Sequence, residues 1–561
     1  MKKFIILSLA GVLILALGAT VYAQAPKLEF RVSGFIDAQT FFQNNVPPRN
    51  TSAGLLRVTP GTSTFWAYGS GMGPGGNLTG VRTAGLNQTQ AYWDSRASLK
   101  LDMVMGPNLS GTIMFEIDSA QWGSGPNGTA TNTGGWREAN GVGYWSTDRT
   151  ALEVKNVYID FGLPYLGIPV PITVRVGAQP IGIRPNMLVY TDGMGVTVAA
   201  KIDPVQVSFI YAKAVEGLTW ASDDSDVYAL QANAKLGTVT VGGYGMWYNM
   251  NTYPFWVSSA YAGFPSGGNP LINGTMRAQM WWFGGYVDGK LGPVNLNFDF
   301  VWDHGTVSQR NMMSGSKDVP DVNYNGWASR LKIDFPWEKF NFGVVGMYAT
   351  GSDANETSIS GLPGTTVANG SGAGGLGFGI PRNGVNMLSR RVTGYVVPPG
   401  SEQDTNNQES VVVYAMESGA SGGAGIAENA NYNQVNRGAF GGTWFAKLYG
   451  SAKLTPWYKV TLQGLYIGDT TAHGNTLGSA VKYPFSGSPI LRDNSDIGWE
   501  LDLINEIWIY KNLRWFIGAG ILWNGGALDL SRNVGPATAP VYANVRPSTP
   551  WSIRTRLIYT F

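Results

Sequence analysis

The chain contains no cysteine, only two histidines and few charged residues. Without cysteine it can form neither a disulfide bond nor a thiolate metal site, and a cysteine-free chain suits an oxidising compartment. His304 and His473 are too few and too scattered for a histidine-rich metal site. Charged residues make up 14% of the chain, against about 25% in typical soluble proteins. This composition is unusual for a water-soluble globular protein.

Long apolar runs are also scarce. The run from Phe4 to Gly18 is shorter than the roughly 20 residues that a membrane-spanning helix needs. It follows Met1-Lys2-Lys3 and precedes the small-residue end Val21-Tyr22-Ala23, which predicts that residues 1–23 are a secretory signal peptide. No later segment is a continuous apolar run of that length, so a helical membrane anchor is not expected.

The charges that are present balance each other. Removing the predicted signal peptide takes away two lysines and leaves 37 basic against 37 acidic residues. No nucleic-acid partner is expected from such a chain. It has no phosphate-binding loop, and Gly419-Ala-Ser421-Gly-Gly423 matches a nucleophile elbow in letters but lacks the flanking strand and helix. We therefore expect no enzyme activity, no cofactor and no metal ion.

The chain is rich instead in glycine, with 76 residues, and in short segments where apolar and polar side chains alternate. In a strand, alternate side chains lie on opposite faces. The last segment, Trp551–Phe561, places its aromatic and aliphatic residues on one face and Arg554 and Arg556 on the other. The segment Thr150–Gly162 changes phase near Lys155 and Asn156, which predicts a β-bulge there.

The last segment also carries a resemblance. A terminal strand with alternating aromatic residues that ends on a C-terminal Phe, here Phe561, resembles the closing strand of a Gram-negative outer-membrane β-barrel. The likeness is to the porin superfamily, which includes large porin-like and alginate-export-type barrels. The strand Thr173–Gln179 and the loop Pro180–Asp192 loosely resemble the matching strand and loop of those barrels. It implies a bacterial outer-membrane location, contact with outer-membrane lipid and, as porins are often trimers, a homotrimer as one open assembly state.

The connections between the alternating segments run alternately long and short. Turn-rich connections such as Gly106-Pro107-Asn108 separate longer ones, of which the longest are about residues 45–87 and 351–437. The segments number about eighteen, an even count that suits bacterial barrels. The predicted fold is all-β: residues 24–561 form one membrane-spanning antiparallel up-and-down β-barrel with long extracellular loops and short periplasmic turns.

Free energy decides which face of the strands lies inside. A lysine or arginine that faces lipid at mid-membrane costs about 2–4 kcal/mol, so the many charges of these strands cannot face lipid. We therefore expect the charged face to line a water-filled lumen and tryptophans near strand ends, such as Trp281 and Trp499, to form interfacial girdles. The predicted pore-lining residues are Arg31, Asp94, Arg96, Glu116, Asp118, Arg175, Asp288, Asp299, Asp303, Arg330, Lys332, Arg514, Arg554 and Arg556.

The lining predicts two walls of opposite charge. Arg31, Arg514, Arg554 and Arg556 come from the first and last two strands, which are neighbours in a closed barrel. Asp288, Asp299 and Asp303 come from strands on the far side. This resembles the opposed ladders of diffusion porins. Salt bridges that merely brace the wall are the alternative for each residue.

Two connections are candidates for a constriction loop. The connection 351–437 contains Arg390 and Arg391, and it is open whether it folds inward or stays extracellular. The shorter Pro180–Asp192 is apolar for a water-facing loop. If it tucks inward, Arg184 and Asp192 become candidates for contact with a solute.

The predicted function is that of a porin for passive diffusion of small hydrophilic solutes or ions. One alternative is a barrel that sheathes a periplasmic or lumenal partner protein, such as the cytochrome of an outer-membrane electron conduit. Another is an outer-membrane enzyme, and a channel specific for an oligosaccharide or an organic acid is a variant of the porin. Aromatic residues in the lumen would favour sugars by stacking; the candidates are Tyr244, Tyr248, Trp282 and Tyr286.

Overall fold

The computed structural model describes residues 27–45, 89–122, 152–163, 170–217, 222–251, 276–309, 322–353, 378–379, 387–388, 391–402, 409–417, 425–427, 435–478, 480, 492–533 and 542–561. The predicted signal peptide, nearly all of the loop 45–87, Arg390 and the Gly419–Gly423 segment lie outside these residues, as does the side chain of Asp118. No helix among the described residues has the length and apolarity needed to span a membrane.

The described residues form 23 strands and one 3-10 helix at Gly526–Leu528. The strands are β1 Leu28–Asn44, β2 Thr89–Met105, β3 Leu109–Gln121, β4 Glu153–Gly162, β5 Ile172–Ile183, β6 Val189–Ile202, β7 Val205–Val215, β8 Ser225–Leu236, β9 Val239–Met250, β10 Met276–Leu291, β11 Val294–Gln309, β12 Val322–Trp337, β13 Phe340–Ala349, β14 Phe378–Gly379, β15 Met387–Leu388, β16 Arg391–Val392, β17 Thr443–Thr455, β18 Tyr458–Asp469, β19 Asp496–Tyr510, β20 Leu513–Asn524, β21 Leu530–Asn533, β22 Tyr542–Val545 and β23 Trp551–Thr560.

A closed antiparallel barrel of 18 strands is built from β1–β13, β17–β20 and β23. Each strand pairs with the next along the chain, β13 pairs with β17, and β20 pairs with β23. The barrel closes where β23 pairs with β1, from Phe35 opposite Thr560 to Asn44 opposite Trp551. The predicted all-β up-and-down barrel is therefore confirmed.

The remaining strands are short and belong to long connections. β14 pairs with β15, and β21 pairs with β22. β16 lies parallel to the start of β12, with Arg391 opposite Asn323 and Val392 opposite Tyr324. Through β16, the connection between β13 and β17 returns to the barrel wall.

The outer surface of the barrel is apolar. The alternation predicted for the last strand is confirmed, because Ile553 and Leu557 are exposed outside while Ser552 and Arg554 are buried inside. Near the long connections, outward aromatic rings stack across neighbouring strands, as in Trp247–Trp281, with centroids 5.2 Å apart. Similar contacts join Tyr228–Trp247, Trp327–Tyr348 and Tyr466–Trp499. These rings form the predicted girdle at this end.

Two local predictions have different outcomes. The β-bulge is confirmed, because Asn156 pairs with Met114 and Val154 with Phe115, which leaves Lys155 as the extra residue. The prediction of a loop over all of residues 180–192 is wrong. The strands β5 and β6 continue into it, and only five residues, 184–188, join them. The apolar residues of this segment therefore belong to a hairpin.

The inner wall differs between its two ends. Toward the long connections, inward side chains of β9–β13 such as Met246, Met280 and Val301 are apolar and buried. Toward the short turns, inward side chains such as Gln231 and Lys235 remain partly or fully exposed. Segments of the chain thus cover the inner wall at the long-connection end and leave it exposed to solvent at the short-turn end.

Candidate functional site

The end of the β5–β6 hairpin leaves the barrel wall. Pairing between β4 and β5 stops at Val157 opposite Ala178, and pairing between β6 and β7 begins at Met194 opposite Lys213. The two strands of the hairpin nevertheless pair with each other up to Ile183. Residues 179–193, here called the hairpin tip, therefore have no neighbouring strand on either side among the described residues. Gly177, at φ 131°, adopts a conformation that favours glycine next to this departure.

Arg184 anchors the hairpin tip to the wall formed by β10 and β11. Its guanidinium donates to Asp288, at 2.6 Å, and to Asp299, and its Cζ lies 4.2 Å from the centroid of the Tyr286 ring. Burial alone would lower the pKa of Arg184, but the hydrogen bonds and charges of the two aspartates raise it above the usual range. The charge of Arg184 is neutralised by Asp288 and Asp299, so this residue fixes the position of the tip.

The other side of the hairpin tip binds the wall next to it. The Nδ2 of Asn156 donates to Asp192 at 2.7 Å, and Lys155 lies 3.7 Å from the same carboxylate. Lys155 also pairs with Glu116 at 2.9 Å, and Arg96 pairs with Glu116 as well. An ion-pair network of β2–β4 therefore reaches the tip.

The segment 391–402 of the longest connection packs against the hairpin tip. The hydroxyl of Tyr395 donates to the carbonyl of Met187, and that of Ser401 to the carbonyl of Leu188 at 2.8 Å. The indole of Trp282 donates to the carbonyl of Val396 at 2.8 Å, and the Val396 N–H donates to Asp303 at 3.1 Å. These contacts hold tip and connection together inside the barrel.

A second part of this connection, residues 409–417, lies along the inner wall and is here called the strap. The backbone N–H groups of Val412 and Val413 donate to Glu500, and that of Val411 donates to Asp502 at 3.1 Å. A buried backbone N–H must find an acceptor. The carboxylates of β19 supply acceptors to this apolar stretch, whose described residues are not part of a β-strand.

The first end of the strap is a buried ion cluster. Glu409 pairs with Arg330 of β12 at 2.7 Å and with Lys447 of β17 at 2.5 Å. Burial alone would raise the pKa of Glu409, but the charges and hydrogen bonds of Lys447 and Arg330 hold it at about 2. The cluster therefore keeps Glu409 ionised at neutral pH.

The second end of the strap is more open to water. Glu417 pairs with Arg514 of β20 at 2.9 Å and with Arg556 of β23 at 3.0 Å. Arg556 also pairs with Asp37 of β1, and Arg514 with Glu506 of β19. The strap thus runs from β12 to β23 across the inner wall, with a carboxylate fixed between two cations at each end.

The predicted pore-lining residues divide by exposure. Asp94, Glu116, Asp299, Asp303, Arg330 and Arg554 are inward but buried, so they do not face open water in this structure. Arg96, Arg175, Asp288, Lys332, Arg514 and Arg556 are inward and partly exposed. Arg31 is exposed near the short turns, where it pairs with Glu29 at 2.8 Å. Of the constriction candidates, Arg184 and Asp192 are in the hairpin tip, and Arg391 is exposed beside β12.

The predicted rows of acidic and basic residues are not free charges facing the lumen. Asp288 and Asp299 are neutralised by Arg184, and Asp303 accepts backbone N–H groups of Gly326 and Val396. On the basic side, Arg554 is buried with its Cζ 5.4 Å from the centroid of Phe41. Salt bridges within the wall, the alternative given by the sequence, join Arg96 to Glu116, Arg175 to Asp160 and Arg556 to Asp37.

Three of the four lumenal aromatic candidates are buried. Trp282, Tyr248 and Tyr244 are at most 7% exposed, beneath the inward segments, and Tyr286 is covered by Arg184. On the opposite wall, the Cζ of Arg175 lies 4.2 Å from the centroid of the Tyr158 ring. These faces are therefore not free for sugar rings.

Sequence reasoning did not select Glu409 and Glu417, which fix the strap. The available signal was the apolar stretch Ser410–Ala415 inside a polar connection, with a glutamate just before it and another two residues after it. Among the described residues, no group of three or more His, Asp or Glu side chains is placed to hold a metal ion.

No protein-family model matches the chain, and no curated protein matches it. Among solved structures it is similar to OccK11 (OpdR) of Pseudomonas aeruginosa, at 8% identity over 96% of this chain and 99% of that one, with a TM-score of 0.42. OccAB4 of Acinetobacter baumannii also matches at 8% identity, over 96% and 99% of the chains, with a TM-score of 0.41. The outer membrane protein opdK from P. aeruginosa matches at 8%, over 95% and 98%, with a TM-score of 0.40. At this identity these are likenesses of fold, and they carry no residue role across to the chain.

Proposed function

We propose that the protein is an outer-membrane porin that lets small hydrophilic solutes or ions diffuse passively through its lumen. The observation that carries the proposal is the closed 18-strand barrel with an apolar outer surface and a charged inner wall. A closed barrel satisfies every strand edge, which makes it one of two backbone arrangements that can span a bilayer. A barrel of this size is too wide for wall side chains to fill.

The hairpin tip and the strap would give this channel its selectivity. Both lie inside the barrel and cover part of the wall, so they narrow the path toward the side of β1–β6. Partly exposed ion pairs remain on that side, such as Arg175 with Asp160 at 2.7 Å. Steric exclusion by the tip and the field of these charges would act together on a passing solute.

Planar-bilayer recordings of the purified protein test the proposal. Discrete conductance steps, and a reversal potential in a salt gradient, are expected from a water-filled pore. A protein that inserts into the bilayer without conducting would contradict it. The native mass of the same preparation tests the homotrimer that the porin resemblance implies.

The alternative of a sheath around a partner protein is less favoured. The long-connection half of the lumen is occupied by the chain's own segments, among them Tyr395 and Val412, which are buried against the wall. A lumenal cytochrome would have to displace them. The absence of haem from protein purified from its native membrane would agree with this argument.

A lipid-facing charge is expected to destabilise the barrel. Leu448, in the middle of β17, is 66% exposed on the outer face. Leu448→Arg should lower the free energy of unfolding in lipid bilayers by about 2–4 kcal/mol, the cost of arginine at the membrane midplane. Gln231→Arg, on the inner face and partly exposed, is the control and should change it by less than ~1 kcal/mol. Urea titration in lipid vesicles measures both, and equal losses would contradict the assignment of the faces.

A further inference from the structure

Four lysines occupy the same place in four strands. Each lies one or two residues before the end of a strand, near a short turn, and is followed by an aliphatic residue, in the sequences Lys201-Ile-Asp-Pro, Lys235-Leu-Gly-Thr, Lys290-Leu-Gly-Pro and Lys453-Leu-Thr-Pro. The aliphatic residue is exposed on the outer face in every case, so alternation places each lysine on the inner face. All four lysines are exposed. They are here called the lysine arc.

Among the described residues no carboxylate lies directly across the sheet from the lysine arc, and Asp288, two residues before Lys290 on the same face, pairs with Arg184. On one side the residues opposite the four lysines are Gln206, Thr240, Asn295 and Lys459. On the other side the lysine N–H groups donate to carbonyls of the adjoining turns, at Pro171, Pro204, Thr238 and Lys339. None of these eight neighbours is acidic.

Nearby lysines that do have acidic partners show the contrast. Lys332 pairs with Asp334 at 3.5 Å, and Lys459 pairs with Glu506 at 2.6 Å. Asp203 and Glu338 are exposed in the turns at the same end, and within the part of the chain that the structure describes neither pairs with the arc. The arc therefore presents uncompensated positive charge at the mouth of the lumen.

The spacing of the arc suits a ligand with several charges. Three of the lysines come from β6, β8 and β10, which are alternate strands. Adjacent strands lie about 4.8 Å apart, so each of these strands lies about 10 Å from the next and the outer two about 20 Å apart. The flexible stem of lysine lets neighbouring ammonium groups approach one anion. A monovalent ion can engage one lysine closely, whereas a chain of phosphates can engage several.

We propose that the lysine arc is a binding site for multivalent anions at the short-turn mouth, and that these anions block the channel from that side. The blocking part rests on the proposed function, because it treats the lumen as the conducting path. The binding part does not. The predicted barrel places this mouth in the periplasm, so the site would sense polyanions of that compartment.

The test uses tripolyphosphate added to one chamber of a planar bilayer. Because the sequence has no cysteine, Lys27→Cys near the short turns can be reacted with an impermeant thiol reagent to identify the chamber that they face. Tripolyphosphate should block at about tenfold lower concentration from the short-turn side than from the other. The difference should shrink between 0.1 and 1 M salt, because the screening length falls from about 10 Å to about 3 Å.

The variant with Lys201, Lys235, Lys290 and Lys453 replaced by glutamine should lose the sided block. The control is Lys339→Gln with Lys511→Gln, in two short turns of the same end; the Lys339 amine lies 5.4 Å from the Phe340 ring. Equal block from both sides, or an unchanged block in the fourfold variant, would overturn the proposal. If the wild-type protein conducts no current, the proposed porin function is refuted. The anion site is then tested separately, by tripolyphosphate binding to the detergent-solubilised protein. Equal affinity of the wild type and the fourfold variant would refute that site.

Discussion

Replacing Glu409 by glutamine is expected to detach the first end of the strap and to increase the single-channel conductance. The substitution leaves Arg330 and Lys447, whose side chains are 9% and 6% exposed, without their shared counter-charge. Removing one partner of a buried ion pair costs about 3–5 kcal/mol, because the remaining charge stays buried and unpaired. The strap is the element that can move to hydrate these charges, since β12 and β17 are fixed by strand pairing. Conductance and urea unfolding of the variant measure the two effects.

The control replaces the whole cluster. In Arg330→Met, Glu409→Met, Lys447→Met the buried site carries no charge, and unfolding stability should return to within ~1.5 kcal/mol of wild type. Glu417→Gln tests the other end, where Arg514 and Arg556 keep the partners Glu506 and Asp37. Its effect on stability should be smaller, because these groups are partly hydrated. A Glu409→Gln channel with wild-type conductance and stability would show that the strap does not depend on the cluster.

Acidification is expected to leave the first end of the strap in place down to low pH. The pKa of Glu409 is depressed to about 2 from an ordinary value of 4.5. Its stabilising contribution is therefore complete above about pH 4.5 and is lost as the pH falls through about 2. The part of the conductance that Glu409→Gln changes should stay constant from pH 7 to about pH 4. A wild-type channel that gains the conductance of the variant near pH 5 would contradict this assignment.

Replacing Arg184 by alanine is expected to raise conductance and to shift selectivity toward cations. The change removes one positive charge and leaves Asp288 and Asp299 without their shared cation, while the hairpin tip loses its anchor to β10 and β11. Asp299 is buried, so leaving it unpaired costs about 3–5 kcal/mol unless the tip moves aside and water enters. Reversal potentials in a salt gradient report the selectivity, and single-channel steps report the width of the path.

The matched control is Arg175→Ala. It removes the same charge from a partly exposed pair with Asp160, which lies on the wall between β4 and β5 and does not hold the tip. It should shift the reversal potential in the same direction with little change in conductance. The double variant Arg184→Gln with Asp299→Asn removes the anchor without changing the net charge. Its conductance should stay as high as that of Arg184→Ala, and its preference for cations should be weaker. Identical conductance for Arg184→Ala and Arg175→Ala would mean that Arg184 does not position the tip.

The arrangement of the wall was predictable because it depends on neighbours in sequence. Alternation with period two in Trp551–Phe561 places aromatic residues on one face whatever the rest of the chain does. The phase change at Lys155 was visible for the same reason and corresponds to the observed bulge. The motif of the lysine arc is equally local: a lysine and an aliphatic residue before a short turn recur in four strands.

The interior of the barrel could not be predicted in this way. Arg184 and Asp299 are 115 residues apart, and Arg330 and Glu409 are 79 apart, so no periodic pattern joins them. A charged strand face predicts exposed rows of charge, because charged side chains ordinarily contact water. Instead, inward-folded segments bury several carboxylates and use them to bind backbone N–H groups.

Sequence by itself determined that the strands are amphipathic, that they close into a barrel and which face is apolar, since burying charges in lipid costs more than the fold can supply. Tertiary structure alone decided how much of the lumen is filled, by the hairpin tip and the strap. The physical reason is that each inward segment is held by ion pairs and backbone hydrogen bonds to distant strands. Those contacts exist only after the barrel has brought the strands together.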